Sequence, residues 1–309
     1  MGSWDLVWLR RNPAGRTSRP SQGFWRYMRV LRELFRRKLA LLGLLIIFAI
    51  VLAAIFAPLI APYSPEDQLP DGLTDIGEPL APSSQFLLGT DLLGRDLLSR
   101  LIYGARASLV IGILANGIAI TIGAMIGVTA GFIRGWFGAA LMRFTDLMMA
   151  FPSLLLAIVL AAIFRPSLWI VVIVISMVNW VQIARVLYTE TTSLAEREYV
   201  MAERSIGAGT GRILFRHILP HLVPTITVWA TLGIATTVLL EAALSYLGVG
   251  VQPPTPSWGG MINENQSYFQ SFPWLVFYPG IVIAALALSF NLLGNALRDI
   301  LDPTMRGRH

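Results

Sequence analysis

Six stretches of this chain run for 19 to 30 residues with almost no charge, and polar segments separate them. They cover residues 39–61, 107–133, 135–164, 166–184, 218–240 and 272–297. A helix needs about 20 apolar residues to cross a bilayer, so each stretch predicts one membrane span. Only the third is interrupted, by Arg143 and Asp146. The first follows Arg36, Arg37 and Lys38 as a signal peptide would, but its 23 residues exceed the 7–15 of a signal core and fit a membrane anchor. The fold class expected is all-α integral membrane, with about six transmembrane helices.

The polar segments set the orientation. With the N-terminus in the cytoplasm, 20 of the 24 basic residues fall inside, and only Arg95, Arg100, Arg106 and Arg165 fall outside. That asymmetry is the one the positive-inside rule demands. The domains expected are a basic cytoplasmic arm (1–38), the first span (39–61), an extracytoplasmic segment (62–106), a five-span core (107–297) with a cytoplasmic loop at 185–217, and a cytoplasmic tail (298–309). Residues 62–94 hold no basic residue, six acidic ones and five prolines. An ordered outer segment with little regular structure fits, either as a partner-facing surface or as a solvated linker.

Composition agrees: 55% of the 309 residues are hydrophobic and 14% charged, against about 25% charged in a soluble domain. The absence of cysteine excludes disulfides and cysteine-ligated metals, and His217, His221 and His309 are too scattered for a metal site. The net charge of +6 sits beside the spans, so topology explains it better than nucleic-acid binding. No HExxH, GxSxG or paired intramembrane aspartate is present, and neither is a GxxxxGK[ST] phosphate loop. The chain therefore reads as a non-enzyme that cannot itself be an ATPase. The near absence of charge in the central spans also argues against an ion-coupled secondary transporter or channel.

Within the spans, Gly123, Gly127, Gly131 and Gly135 recur every four residues and define a small-residue face for close helix packing, within the chain or against a sister subunit. Arg143 and Asp146 are three apart and are expected to form a structural ion pair. Glu241 ends the fifth run; it either faces a wet cavity on a translocation path or pairs with a neighbouring helix. Between the fourth and fifth runs, four glutamates alternate with five arginines, and Gly207, Gly209 and Gly211 divide the segment into two short helices. The first is expected over about 196–206, and the second begins at Thr210 as N-cap. Pro220 and Pro224 mark the return to the membrane. Such a loop either docks on a soluble partner or merely connects two spans.

Family motifs bear on that choice. Residues 36–43 with 56–63, 88–108 (Leu-Gly-Thr-Asp-Leu-Leu-Gly-Arg-Asp onward), 198–220, and 243–259 with 290–303 resemble the C-type permease subunits of dipeptide/oligopeptide ABC importers. The likeness runs from about residue 24 to 304. It implies a type I ABC importer permease fold in the cell (inner or plasma) membrane. It also implies a heterodimer with a homologous sister permease, two ABC ATPase subunits that bind ATP and Mg, and an extracytoplasmic substrate-binding protein. No cofactor is expected on this chain. The loop would be the ATPase-coupling element, with Glu198, Ala202, Glu203, Gly207, Arg212, Leu219 and Pro220 at the contact. Trp4, Trp8, Phe24 and Trp25 of the arm would lie at the inner membrane surface. The family pattern is Glu-Ala-Ala, three residues, Gly; here it reads Met201-Ala202-Glu203 before Gly207, which shifts the expected contacts toward Glu198 and Glu203. The resemblance implies di- or oligopeptide cargo, with nickel complexes, glutathione or sugars as alternatives.

Overall fold

The computed structural model describes residue 30 and residues 32–133 and 135–301. The aromatic arm residues Trp4, Trp8, Phe24 and Trp25, and all but the first four residues of the tail, lie outside the described residues. Helix α1 (Lys38–Ile55) realises the first apolar run. A single turn, Ala57–Ile60, follows it around Pro58. Arg106 donates from Nε to the Ala54 carbonyl (2.6 Å) and from a terminal nitrogen to that of Ile55 (3.0 Å), so a cation closes the carbonyl end of α1.

Residues 62–96 form turns rather than strands, apart from two isolated bridges. Thr90 pins this segment: its hydroxyl donates to the Gly72 carbonyl (2.6 Å) and accepts from the Leu80 amide (2.8 Å). Helix α2 (Leu97–Phe132) starts ten residues before the second apolar run, which moves the expected boundary of the outer segment from 106 to 96. The reason is local. Asp96 caps the helix by accepting from the Ser99 amide at 2.8 Å, and Leu97, Arg100 and Leu101 are buried.

The third apolar run is not one straight span. It forms α3 (Trp136–Met149) and α4 (Ser153–Ile163), which meet at 90°. Pro152 stands at the N-cap of α4, where its fixed ring and missing N–H stop a continuous helix. Helix α5 (Leu168–Ala195) is capped by Ser167, whose hydroxyl accepts from the Ile170 amide. A short α6 (Glu198–Ser205) follows it. Helix α7 (Thr210–Tyr246) runs through a π turn at Leu214–Ile218 and carries Pro220 and Pro224 near its start. Gly209 takes the N-cap position expected for Thr210, and Gly211 lies within the helix rather than at a break. A helix that the apolar pattern did not predict, α8 (Trp258–Asn265), precedes α9 (Trp274–Leu301). Among the described residues, five helices are thus long and apolar enough to span a membrane, and the bent pair raises the number to six.

The glycine stripe explains the closest helix pair. A Cβ on Gly127 would run into the Ala184 carbonyl oxygen and lie 3.0 Å from Ala184 Cα, and one on Gly131 would lie 2.7 Å from the Tyr188 carbonyl oxygen. Gly123 meets Trp180 and Ile183 in the same way, so the stripe packs α2 on α5 inside the chain. Gly135 does not belong to it: with φ of 108° it is the turn between α2 and α3. At the 62–96 end, Leu97, Leu101, Trp258 and Leu275 centre one core. At the 196–217 end, Phe132, Leu187, Val200, Ile213 and Ile218 centre another.

Candidate functional site

The 196–217 segment is seated from within and presents large apolar side chains among charged ones on the outside. Val200, Ile213 and Ile218 are fully buried against α2 and α5, which fixes α6 and the start of α7 to the spans. Gly207, at φ of 83°, makes the turn between them, a conformation that side chains resist. Glu203 faces His217 across that turn at 3.4 Å. Tyr199 stacks on His221, with ring centres 6.0 Å apart. Arg204 lies over the Phe132 ring at 4.9 Å, tying α6 to the end of α2.

Of the residues singled out from sequence, Glu198, Ala202, Gly207, Arg212 and Pro220 are exposed, Glu203 is half-buried, and Leu219 packs on the core. Sequence reasoning passed over Met201, Ile206 and Phe215. Ile206 is 80% exposed and Phe215 75%, beside the exposed Arg204, Arg212 and Arg216. Large apolar side chains among arginines match the composition of protein–protein contact cores. The signal was available: these three positions break the polar pattern of the loop without falling on the buried face of either helix.

At the opposite end, a buried ion network joins the 62–96 turns to α2 and α8. Arg95 donates from Nε to Asp91 (2.6 Å) and from a terminal nitrogen to Glu264 (2.8 Å). Arg100 donates to Asp91 and, at 2.9 and 3.2 Å, to both oxygens of Glu264. Two cations face two carboxylates, so the network is neutral. Trp258, fully buried, donates its indole N–H to the Leu101 carbonyl (2.9 Å), and a Cβ on Gly259 would lie 2.7 Å from Ala242 Cα. The Trp258-Gly259 pair therefore seats α8 between α2 and α7. Glu264 was not anticipated; on sequence alone it is one acid in a polar stretch.

One expectation is corrected and one open choice is resolved. Asp146 pairs with Arg185 on α5 at 3.2 Å, not with Arg143, because α3 packs against α5 here, with Phe144 stacked on Trp180, and brings Arg185 within reach. Glu241 does not face a wet cavity. It is fully buried, accepting from Ser108 (3.2 Å) and Ser245 (2.8 Å), and it joins α2 to α7.

Two hollows remain on α7. One, of about 690 Å³, opens at the 196–217 end beside Glu190, His221 and Arg298. The other, of about 410 Å³, lies halfway along the spans between α2, α4, α5 and α7.

Comparison with known proteins matches residues 119–307 to the family model described as binding-protein-dependent transport system inner membrane component. Residues 23–82 match the N-terminal transmembrane domain of oligopeptide transport permease C. A dipeptide transport system permease protein of Alkalihalophilus pseudofirmus is 42% identical over 91% of this chain and 90% of its own length. A di/tripeptide transport system permease protein of Pseudomonas aeruginosa is 42% identical over 93% of each. A glutathione transport system permease protein of Escherichia coli is 38% identical over 93% of this chain and 92% of its own. Among solved structures, a chain of the MetNI methionine ABC transporter in inward-facing form superposes with a TM-score of 0.55 at 16% identity, covering 66% of this chain and 96% of that one. At that identity the likeness establishes the fold.

Proposed function

This chain belongs to the family of binding-protein-dependent transport inner membrane components, as a multi-pass ABC permease subunit, and from that premise we propose that it passes di- and oligopeptides through the membrane. A substrate-binding protein delivers the peptide at the 62–96 end. Two ATPase subunits, which bind ATP and Mg, drive the cycle from the 196–217 end, and a sister permease completes the pore. The chain itself is a transport component rather than a catalyst. Both termini then lie on the ATPase side, in the cytoplasm, as the excess of basic residues there requires.

The observation that carries the reading is the form of the 196–217 segment. Its inner face is rigidly seated by Val200, Ile213 and Ile218, while Met201, Ile206 and Phe215 stand uncovered. An ATPase groove that grips those side chains would move α5 and α7 as rigid bodies. Glu198, Ala202, Glu203 and Arg212 would rim the contact, and Gly207 would hold the turn. Peptide cargo is supported by the names of the relatives; the glutathione permease widens it to a modified tripeptide.

The test is gentle purification of this chain from its membrane, with mass spectrometry of what accompanies it. A second permease and phosphate-loop ATPases are expected. The double variant Ile206→Asp/Phe215→Asp should lose the ATPases and keep the sister permease. Replacing the whole loop would be uninformative, because Val200, Ile213 and Ile218 belong to the core. A chain that purifies alone and transports without any ATPase would overturn the reading.

A further inference from the structure

The hollow at half height has an unusual lining for a membrane interior. Asn116 on α2, Asn179 and Gln182 on α5, and Thr236 on α7 all face it, and no charged residue does. Each lies within about one turn (3.6 residues) of the midpoint of its helix, taking Leu219–Tyr246 as the regular part of α7. Three helices thus bring polar side chains to one depth around one cavity. Polar groups at that depth are costly and are retained for a function or for packing.

Packing accounts for two of them. Asn116 donates its amide to the Ala230 carbonyl (2.7 Å), and Asn179 donates to the Thr237 hydroxyl (3.2 Å); both clamp α7. Packing does not account for Gln182. It is exposed to the hollow and makes no hydrogen bond among the described residues. Trp229 forms part of the wall of this hollow and also of the larger one at the 196–217 end. There Glu190 and Arg298 supply opposite charges. The two hollows therefore follow one another along α7, an uncharged amide chamber leading past an indole to a vestibule with both signs.

We propose that the amide chamber is a transit site for the main chain of a short peptide, with Gln182 as its principal contact. This rests on the peptide-permease reading above. A carboxamide offers one acceptor and two donors, which match the C=O and N–H of any peptide group whatever its side chains. Such contacts serve a cargo of variable sequence. A fixed charge at this depth would hold one peptide terminus tightly and slow its release, whereas conduction needs binding weak enough to leave. The zwitterionic ends meet charge only at the exit, at Glu190 and Arg298.

The experiment uses the complete transporter with its binding protein, reconstituted in liposomes, and a radiolabelled tripeptide as probe. Uptake and ATP hydrolysis stimulated by the loaded binding protein are read together. Gln182→Leu should lower uptake about tenfold, the worth of one lost hydrogen bond, and leave stimulated hydrolysis within about twofold. Gln182→Asn should recover most of the uptake. Unchanged uptake in Gln182→Leu would overturn the proposal. If uptake and hydrolysis fall together, a second variant decides. Because the chain has no native cysteine, Gln182→Cys carries a unique thiol on it. Protection of that thiol from maleimide by tripeptide during turnover supports the site; equal labelling with and without tripeptide overturns it. Absence of tripeptide uptake by the parent transporter would instead refute the peptide reading, and the two failures are thereby distinguished.

Discussion

The two ends of this molecule are built on opposite principles. At the 62–96 end, one cluster of charge is tightly paired: Asp91, Arg95 and Arg100, buried, and the partly exposed Glu264 lock turns, α2 and α8 into one body, while Glu66, Asp67, Asp71, Asp75 and Glu78 stand exposed around it. At the 196–217 end, charge is exposed and loosely paired, through Glu203 with His217 and Asp146 with Arg185, and large apolar side chains point outward. The first end is locked from within by that network, although Ile76 and Leu87 are exposed on it. The second is a seated arm with an uncovered face, the form expected of an element that gains its remaining contacts from another protein. A rigid platform suits the docking of a loaded binding protein, and an arm fixed to α5 and α7 suits transmission of an ATPase movement.

The comparison breaks most sharply at Arg100. Arg100→Met leaves Asp91 and Glu264 short of a partner in a buried setting and should destabilise the protein by about 3–5 kcal/mol. A large drop in the thermal midpoint of the detergent-solubilised chain checks this; a drop as small as that of an exposed pair would show the network to be dispensable. Glu264→Gln removes charge from a partly exposed member, and Asp91 still serves both arginines. The expected loss is about 1–2 kcal/mol, the value of charge-assisted hydrogen bonds weakened by solvent, measured in the same melting series. At the opposite end, Gly207→Ala forces a side chain into the left-handed region at a cost of about 1 kcal/mol. Its effect on ATP-driven uptake should exceed its effect on melting, because the turn aims α6. The smallest effect on stability belongs to Phe215→Ser, within about 0.5 kcal/mol as for surface changes generally, although affinity for the ATPase subunits should fall measurably. If Phe215→Ser melts the protein as Arg100→Met does, the contrast between the ends is false.

How much of this was legible in the sequence differs by element. The five unbroken spans and the overall class could be read because lipid imposes a length and a polarity on every crossing helix, whatever its neighbours. The four-residue glycine spacing announced close packing for a related reason, since a helix has a fixed period. The family motifs pointed to the loop, and Gly207 announced its turn. The Arg143–Asp146 pairing was misread because a spacing of three only makes a pair available, and α5, packed against α3, offers Asp146 a competing partner in Arg185. Glu241 was left open between a wet cavity and a neighbouring helix, because the end of an apolar run does not say whether a carboxylate meets water or two serines. The arginines at 95, 100 and 106 counted as exceptions to the charge rule; two are neutralised within the network and the third closes the end of α1.

The sequence by itself thus determined what one dimension can carry: which segments are apolar enough to cross, how basic residues divide between the two sides, and where small residues or prolines set helix approach and bends. Only the tertiary structure decided which charges meet, that Glu264 lies beside Arg95 and Arg100 from across 169 and 164 positions, and that polar side chains from three helices converge at one depth. The physical reason is that hydrophobic burial and helix period act locally and repeat along the chain. Hydrogen bonds and ion pairs instead depend on ångström distances between groups far apart in sequence, and folding alone sets those distances.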